Sequence, residues 1–359
     1  MALRADGLLI GDGIGAIRRA SLAAMLLLRN MLELAPGHQG KRFTETRRST
    51  AQGAEYDLYE PTGGVRSTVI VVQGLVILGE RDPRMINFAR ALASGGVRAA
   101  AIHLPALSEC RFAASDLSAL VDLAQSLYAE SQQPLGLVAF SFGAGMALAA
   151  ATDPGAKDLL DPLLLFGPYY SLSELWDEIG KNFKTVPKTK AQWDDHIWLR
   201  MLIAYRDRER LDFSAKERAE LTDLLGRYCS EPSLERKRRF YEKTIKPREP
   251  LVLNREGLDP EVLDWLSPQG KLAAIGGRVL LLHDPNDPYV SPEHSRQILR
   301  ELGGRKNFGR HRLLITPLLS HVLANFTWKI FEVFPLLGIV GELFRQPCAN
   351  RANPKGKKS

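Results

Sequence analysis

Three apolar runs in this chain end in a serine, a carboxylate and a histidine. The first, residues 135–139, leads into Ala139-Phe140-Ser141-Phe142-Gly143 and then into a run of small residues over 144–151. Small residues two before and two after Ser141 suit a tight strand-to-helix turn, in which the strand and helix backbones nearly touch and the strained turn lifts the serine clear of the sheet. Gly143 and Gly145 stand where that close approach is needed. A second run, 279–282, ends in His283-Asp284-Pro285-Asn286-Asp287-Pro288-Tyr289-Val290, and a third, 313–316, is followed by Ser320-His321. A serine hydroxyl is a poor nucleophile until a base removes its proton during attack. An imidazole can take that proton and later return it, while a carboxylate fixes the tautomer and stabilises the charged ring. The chemistry these types could perform together is acyl transfer through a serine ester.

The elements that must carry these groups follow from hydrophobic periodicity. Segments 43–48 and 56–59 alternate as two early strands, antiparallel at one edge of a sheet. Segment 68–72 is β-branched and apolar, as a strand buried on both faces should be. Asp82-Pro83 opens a helix whose stripe is Met85, Phe88, Ala89 and Leu92, closed by Gly95-Gly96. A strand over 99–104 follows, then a helix capped by Ser115 or Asp116 with Leu117, Leu120, Val121 and Ala124 as its stripe. The serine strand and helix and a strand over 163–166 complete an alternation that predicts an α/β fold with a doubly wound, mostly parallel sheet. The alternation stops after Tyr170. Residues 171–275 are charge-rich and helical in pattern, contain Trp176, Trp193, Trp198 and Trp265, and include the basic run Arg236-Lys237-Arg238-Arg239, expected as a solvated helix face. The sheet pattern resumes at Arg278, and 328–344 is expected to be a final helix on the sheet.

The order strand-Ser, strand-Asp, strand-His resembles the α/β-hydrolase superfamily over about residues 56–326, with a gap in the middle. The pentapeptide alone is a weak signal; the matching acid and histidine make it a strong one. The resemblance implies Ser141 as nucleophile and His321, in the loop after the last strand, as base. Similar hydrolases carry His-Gly-x-x-Asp-x-x-Val-Pro after the penultimate strand. Asp287 matches that acid position, and Asp284, standing for the glycine, reads as a turn former. Two backbone N–H donors must face the tetrahedral intermediate. One is expected from Phe142 and the other from Leu75 or Val76, in a loop where many relatives have His-Gly and this chain has Gln73-Gly74. The helical segment at 171–275 looks like the cap that covers the nucleophile in many such enzymes. The resemblance therefore implies a serine hydrolase of a carboxylic ester, with amide, thioester and acyl-transfer chemistry using the same residues. A non-catalytic member of the fold that binds a ligand, lipid or partner is the alternative. An Asp nucleophile, as in epoxide hydrolases and dehalogenases of the fold, is disfavoured.

Composition is ordinary for a globular protein: 359 residues, 45% hydrophobic and 25% charged, with a net charge of +7. No nucleic-acid motif accompanies the charge, so nucleic acid is not an expected partner. Metal-ligand spacings, a Walker loop and a dinucleotide fingerprint are missing, and the chemistry requires no cofactor. Gly11, Gly13 and Gly15 do not follow a strand and are discounted as a phosphate loop. Three widely spaced cysteines, Cys110, Cys229 and Cys348, do not form a disulfide framework, which points to a reducing, cytoplasmic setting. The expected organisation is an amphipathic helical segment over 1–40, a core of 41–170 and 276–345, a helical cap over 171–275, and a basic disordered tail over 346–359. The apolar face within 8–34 is expected to pack on the domain, with peripheral membrane contact or a second subunit as the alternatives.

Overall fold

A computed structural model describes residues 43–344, apart from 185–186, 227–233, 249–258, 304–309, 321–322 and 325–329. The expectations for the N-terminal helices and the basic tail lie outside these residues. The chain begins with β1 (Phe43–Ser49) and β2 (Glu55–Pro61), antiparallel to each other, then β3 (Ser67–Val72), α1 (Pro83–Ser94) and β4 (Val97–Ile102). A short helix α2 (Pro105–Ser108) and a long one, α3 (Ala114–Ser131), lead to β5 (Leu135–Phe140), α4 (Phe142–Thr152) and β6 (Leu160–Phe166). Five helices follow: α5 (Leu172–Lys184), α6 (Lys190–Arg206), α7 (Ala215–Gly226), α8 (Leu234–Phe240) and α9 (Pro260–Trp265). Then come β7 (Val279–His283), α10 (Pro292–Glu301), β8 (Arg312–Ile315), the two-residue pair β9 (Leu319–Ser320) and β10 (Leu323–Ala324), and α11 (Ile330–Val340). The eight-stranded sheet has the order β1-β2-β4-β3-β5-β6-β7-β8, and every pairing from β4 to β8 is parallel. No helix among the described residues is long and apolar enough to cross a membrane.

The apolar strands are buried on both faces, as their composition predicts. Ile70, Val72, Leu135, Leu137 and Ala139 join one core cluster with α3, α4 and α10. Val69, Val71, Val138 and Phe140 point the other way, into a second cluster with α1 and α11. This two-residue alternation is the pleat itself. Helix α1 starts as expected: Asp82 accepts from the Arg84 amide at 2.9 Å, Pro83 holds the first position, and Met85, Phe88, Ala89 and Leu92 are buried.

Two expectations are corrected. Helix α3 begins after Ala113, without a side-chain cap. Asp116 is instead buried and accepts from the Leu107 amide at 2.9 Å, so its carboxylate serves the unsatisfied N–H groups of α2, the preceding helix. The basic run on α8 is not wholly solvated: Lys237 is buried and pairs with Asp194 of α6.

Helices α6, α7 and α8 and the turn after them have an apolar core of their own, built from Ile197, Met201, Leu221, Leu224, Phe240 and Ile245 among others, whereas α5 and α9 pack into the core of the sheet. Leu75, Leu199 and Tyr289 pack against both this core and the core of the sheet. Two of the three, Leu75 and Tyr289, belong to loops at the C-terminal ends of parallel strands.

Candidate active site

Ser141 occupies the turn between β5 and α4 with φ 51° and ψ −122°. A left-handed backbone at a non-glycine residue costs of order 1–3 kcal/mol and persists only where its surroundings enforce it. Here they do. The Ser141 amide donates to the Phe166 carbonyl at 2.7 Å, and the Ser141 carbonyl accepts from Ala144 at 2.8 Å, the first turn of α4. A Cβ on Gly143 would lie 1.9 Å from the Gln73 carbonyl oxygen, and one on Gly145 would lie 2.1 Å from the Tyr169 ring. Both positions exclude a side chain, which is why α4 can start so close to the sheet. The helix is built almost wholly of alanine, glycine and other apolar residues, and ten of its eleven residues are buried.

The loop after β3 passes against this turn. A Cβ on Gly74 would be 3.1 Å from the Phe140 carbonyl oxygen and 3.3 Å from the Ser141 Cβ. Gln73 does not point out of this loop; it is buried, and its Nε2 donates to Ser108 Oγ on α2 at 2.8 Å. The glutamine therefore braces the loop against α2. Leu75 and Phe142, the two expected amide donors, line one cleft. The Phe142 ring is held by Phe112, Tyr169 and Trp176, at centroid distances of 5.6, 5.7 and 6.3 Å.

The empty space in and over that cleft is about 360 Å³, open solvent included. Its far wall is Trp176 and Ile179 of α5 with Leu199, Leu202 and Ile203 of α6, while Cys110 and Arg206 complete the lining. Burial pushes the Cys110 thiol up to about 12, so it stays a neutral, apolar surface. Arg206 forks its Nε and Nη2 onto Asp207 at 2.8 and 3.1 Å, which balances its charge. The α6 residues of this wall do not stand out in the sequence as Trp176 and Cys110 do. A signal was present: 199, 202, 203 and 206 fall at i, i+3, i+4 and i+7, one face of a helix.

Asp287 lies in the loop after β7, two strands from Ser141 along the same sheet edge. Its side chain is fully buried. Oδ1 accepts from the amides of Tyr289 and Val290, each at 2.9 Å, and Oδ2 lies 3.6 Å from His283 Nε2. Asp284 accepts from the Asn286 amide at 2.9 Å, the turn-forming role expected of it. The chain leaving β8 runs beside this loop, with the Thr316 amide donating to the His283 carbonyl at 2.9 Å. His321 lies outside the described residues, between β9 and β10.

Each described histidine has a polar partner. His283 is buried, with Nε2 donating to the Val290 carbonyl at 2.9 Å and Nδ1 on Ser295 Oγ at 2.7 Å. His103 Nδ1 is 2.8 Å from Glu80. His196 Nδ1 is 2.9 Å from Arg200, and burial together with that guanidinium lowers its pKa to about 4. His294 and His311 accept from the amides of Tyr170 and Val279, both at 3.2 Å, and burial lowers both pKa values.

No protein-family model and no curated protein sequence matches the chain. Solved structures do. An alpha/beta hydrolase superfamily protein from Enterococcus faecalis aligns at TM-score 0.52 and 17% identity, over 84% of this chain and 98% of that one. A puromycin-hydrolyzing peptidase from Mycobacterium tuberculosis aligns at TM-score 0.50 and 15% identity, over 87% of this chain and 41% of that one. The sheet order, the left-handed serine turn and these likenesses agree: the chain has the α/β-hydrolase fold.

Proposed function

We propose that this protein is a serine hydrolase that cleaves carboxylic esters of apolar acyl groups, with Ser141 as nucleophile, His321 as base and Asp287 as the acid that orients it. The proposal rests above all on the backbone of Ser141, held left-handed beside an apolar cleft that begins at the next residue. A turn serine with a purely structural role has no need of that strain.

The chemistry runs in two halves. Ser141 Oγ attacks the ester carbonyl as its proton passes to His321, and the carbonyl oxygen becomes an oxyanion facing the Phe142 and Leu75 amides. Collapse expels the alkoxide, which takes the proton from the imidazolium, and leaves an acyl-serine. Water then attacks the acyl-serine by the same route, releasing the acid and restoring Ser141. Asp287 suits the orienting role because two amides hold one of its oxygens in place. The helices between β6 and β7 act as a cap: α5 and α6 form the cleft wall, so they select the acyl group and exclude water from it. The engaged states of His103, His196, His283, His294 and His311 support His321 as base.

The test is hydrolysis of p-nitrophenyl esters of graded chain length. Each buried methylene is worth about 0.8 kcal/mol, so kcat/KM should rise roughly three- to fourfold per carbon until the cleft is filled. Ser141→Ala should lose several orders of magnitude while keeping its fold. Undiminished hydrolysis by Ser141→Ala would remove the assignment.

A further inference from the structure

We propose that Tyr289 and Asp195 form a strut through which helix α6 positions the Asp287 carboxylate, so that the acid and the wall of the apolar cleft move together. This deepens the functional proposal above and rests on it for its catalytic consequence, though not for its structural one.

Asp287 is fixed through backbone amides, and a carboxylate held this way is only as steady as the backbone that holds it. The two donors are anchored on opposite sides. Val290 is tied to the sheet side: it is buried, its carbonyl accepts from His283, and His283 rests on Ser295 of α10. Tyr289 reaches the other way, and its phenol donates to Asp195 Oδ1 on α6 at 3.0 Å. The Tyr289 ring also packs with both the sheet core and the core of the helical segment. Asp195 and Leu199 are four residues apart on α6, and Leu199 lines the cleft. One face of one helix therefore carries both the strut's acceptor and the wall that an acyl chain would touch. A displacement of α6 that reshapes the cleft must shift residue 289, and with it one of the two amides on Asp287. An acyl group that seats α6 would in turn seat the acid, using binding energy remote from the reacting bond to raise turnover. Tyr289 and Asp195 are thus positioning residues, acting through Asp287.

The experiment compares Tyr289→Phe, Asp195→Ala, Asp195→Asn and the double variant Tyr289→Phe/Asp195→Ala in the full chain, by ester kinetics and by amide hydrogen exchange. Loss of one hydrogen bond predicts kcat about tenfold lower in Tyr289→Phe and in Asp195→Ala for the best ester. The double variant should be no worse than either single one, and Asp195→Asn, which keeps an acceptor oxygen, should recover most of the loss. In Tyr289→Phe, KM should still fall with acyl length while kcat stops rising with it. The amides of residues 289 and 290 should exchange faster in both Tyr289→Phe and Asp195→Ala. Unchanged exchange in both variants overturns the strut whether or not the protein hydrolyses esters, and so do losses in kcat that multiply in the double variant. Faster exchange together with an active Ser141→Ala would leave the strut standing and remove the catalytic reading instead. If Tyr289→Phe does not fold, the two Asp195 variants carry the test alone.

Discussion

The sheet body and the helical segment between β6 and β7 are packed by different means. The body controls Ser141 by exclusion: backbone and ring atoms fill the space beside Gly143 and Gly145, and the acidic side chains it buries include Glu80, Asp82 and Glu342. The helical segment buries cations instead. Lys237 and Arg200 are inside it, and guanidinium groups of Arg208, Arg238 and Arg248 lie over the rings of Tyr205, Trp193 and Phe213 at 4.2, 5.0 and 4.9 Å. Steric control tolerates one geometry, whereas ion pairs and stacked cations can be re-formed at slightly different positions. Such a division keeps Ser141 fixed while leaving the cleft wall adjustable.

Substitutions in either region test this contrast. Asp287→Asn should lower kcat by about two to four orders of magnitude, since the group proposed to orient the base is changed. Asp284→Asn should cost far less, because Asp284 accepts from the Asn286 amide in a local turn. The opposite ranking in two folded variants would move the acid to Asp284. In the body, Gly143→Ala should cost at least about 3 kcal/mol in a denaturant titration, because the new methyl meets a backbone oxygen that cannot swing away. A near-neutral result would show that the turn can relax, and steric control would be the wrong description. In the helical segment, Lys237→Met should cost about 1–2 kcal/mol. That is less than the usual penalty for stranding a buried charge, because Asp194 is 34% exposed and can recover water. The smallest effect is on acid stability. His196 and His294 have folded-state pKa values below their unfolded ones. The unfolded chain therefore takes up protons first as pH falls, and the stability they contribute is lost progressively below about 6.5. The melting temperature should fall between about pH 7 and about pH 5. His196→Gln, which keeps an acceptor for Arg200, should flatten that slope; an unchanged slope would show that His196 is already solvated and free to charge.

The same contrast explains what was legible in the sequence. Strands β3, β5 and β7 were readable because burial on both faces demands unbroken apolar runs, and the serine turn was readable because only small residues fit beside it. The start of α1 was readable because Asp-Pro is a local signal, complete within a few residues. Asp116 was misassigned because its partners belong to the helix before it, and a carboxylate in a first turn looks the same whichever helix it serves. Lys237 was misassigned because burial of a lysine depends on Asp194, 43 positions earlier and on another helix. The cleft wall lay hidden in ordinary amphipathic spacing on α6, where a face that lines a cavity and a face that packs a core have the same period. Tyr289 stood in plain view in the acid loop, but its phenol partner Asp195 is 94 positions away. Long-range polar pairs are specified by the fold and leave no local pattern.

Ser141 is proposed to be a nucleophile activated by its neighbours. The most direct test is incubation of the full-length protein with a fluorophosphonate probe, followed by mass spectrometry of the digested peptides. A stable adduct on the peptide that contains Ser141, lost in Ser141→Ala and slowed in His321→Ala, is the predicted result. A folded, ester-hydrolysing sample that carries no label on Ser141, or carries it on another serine, would contradict the account.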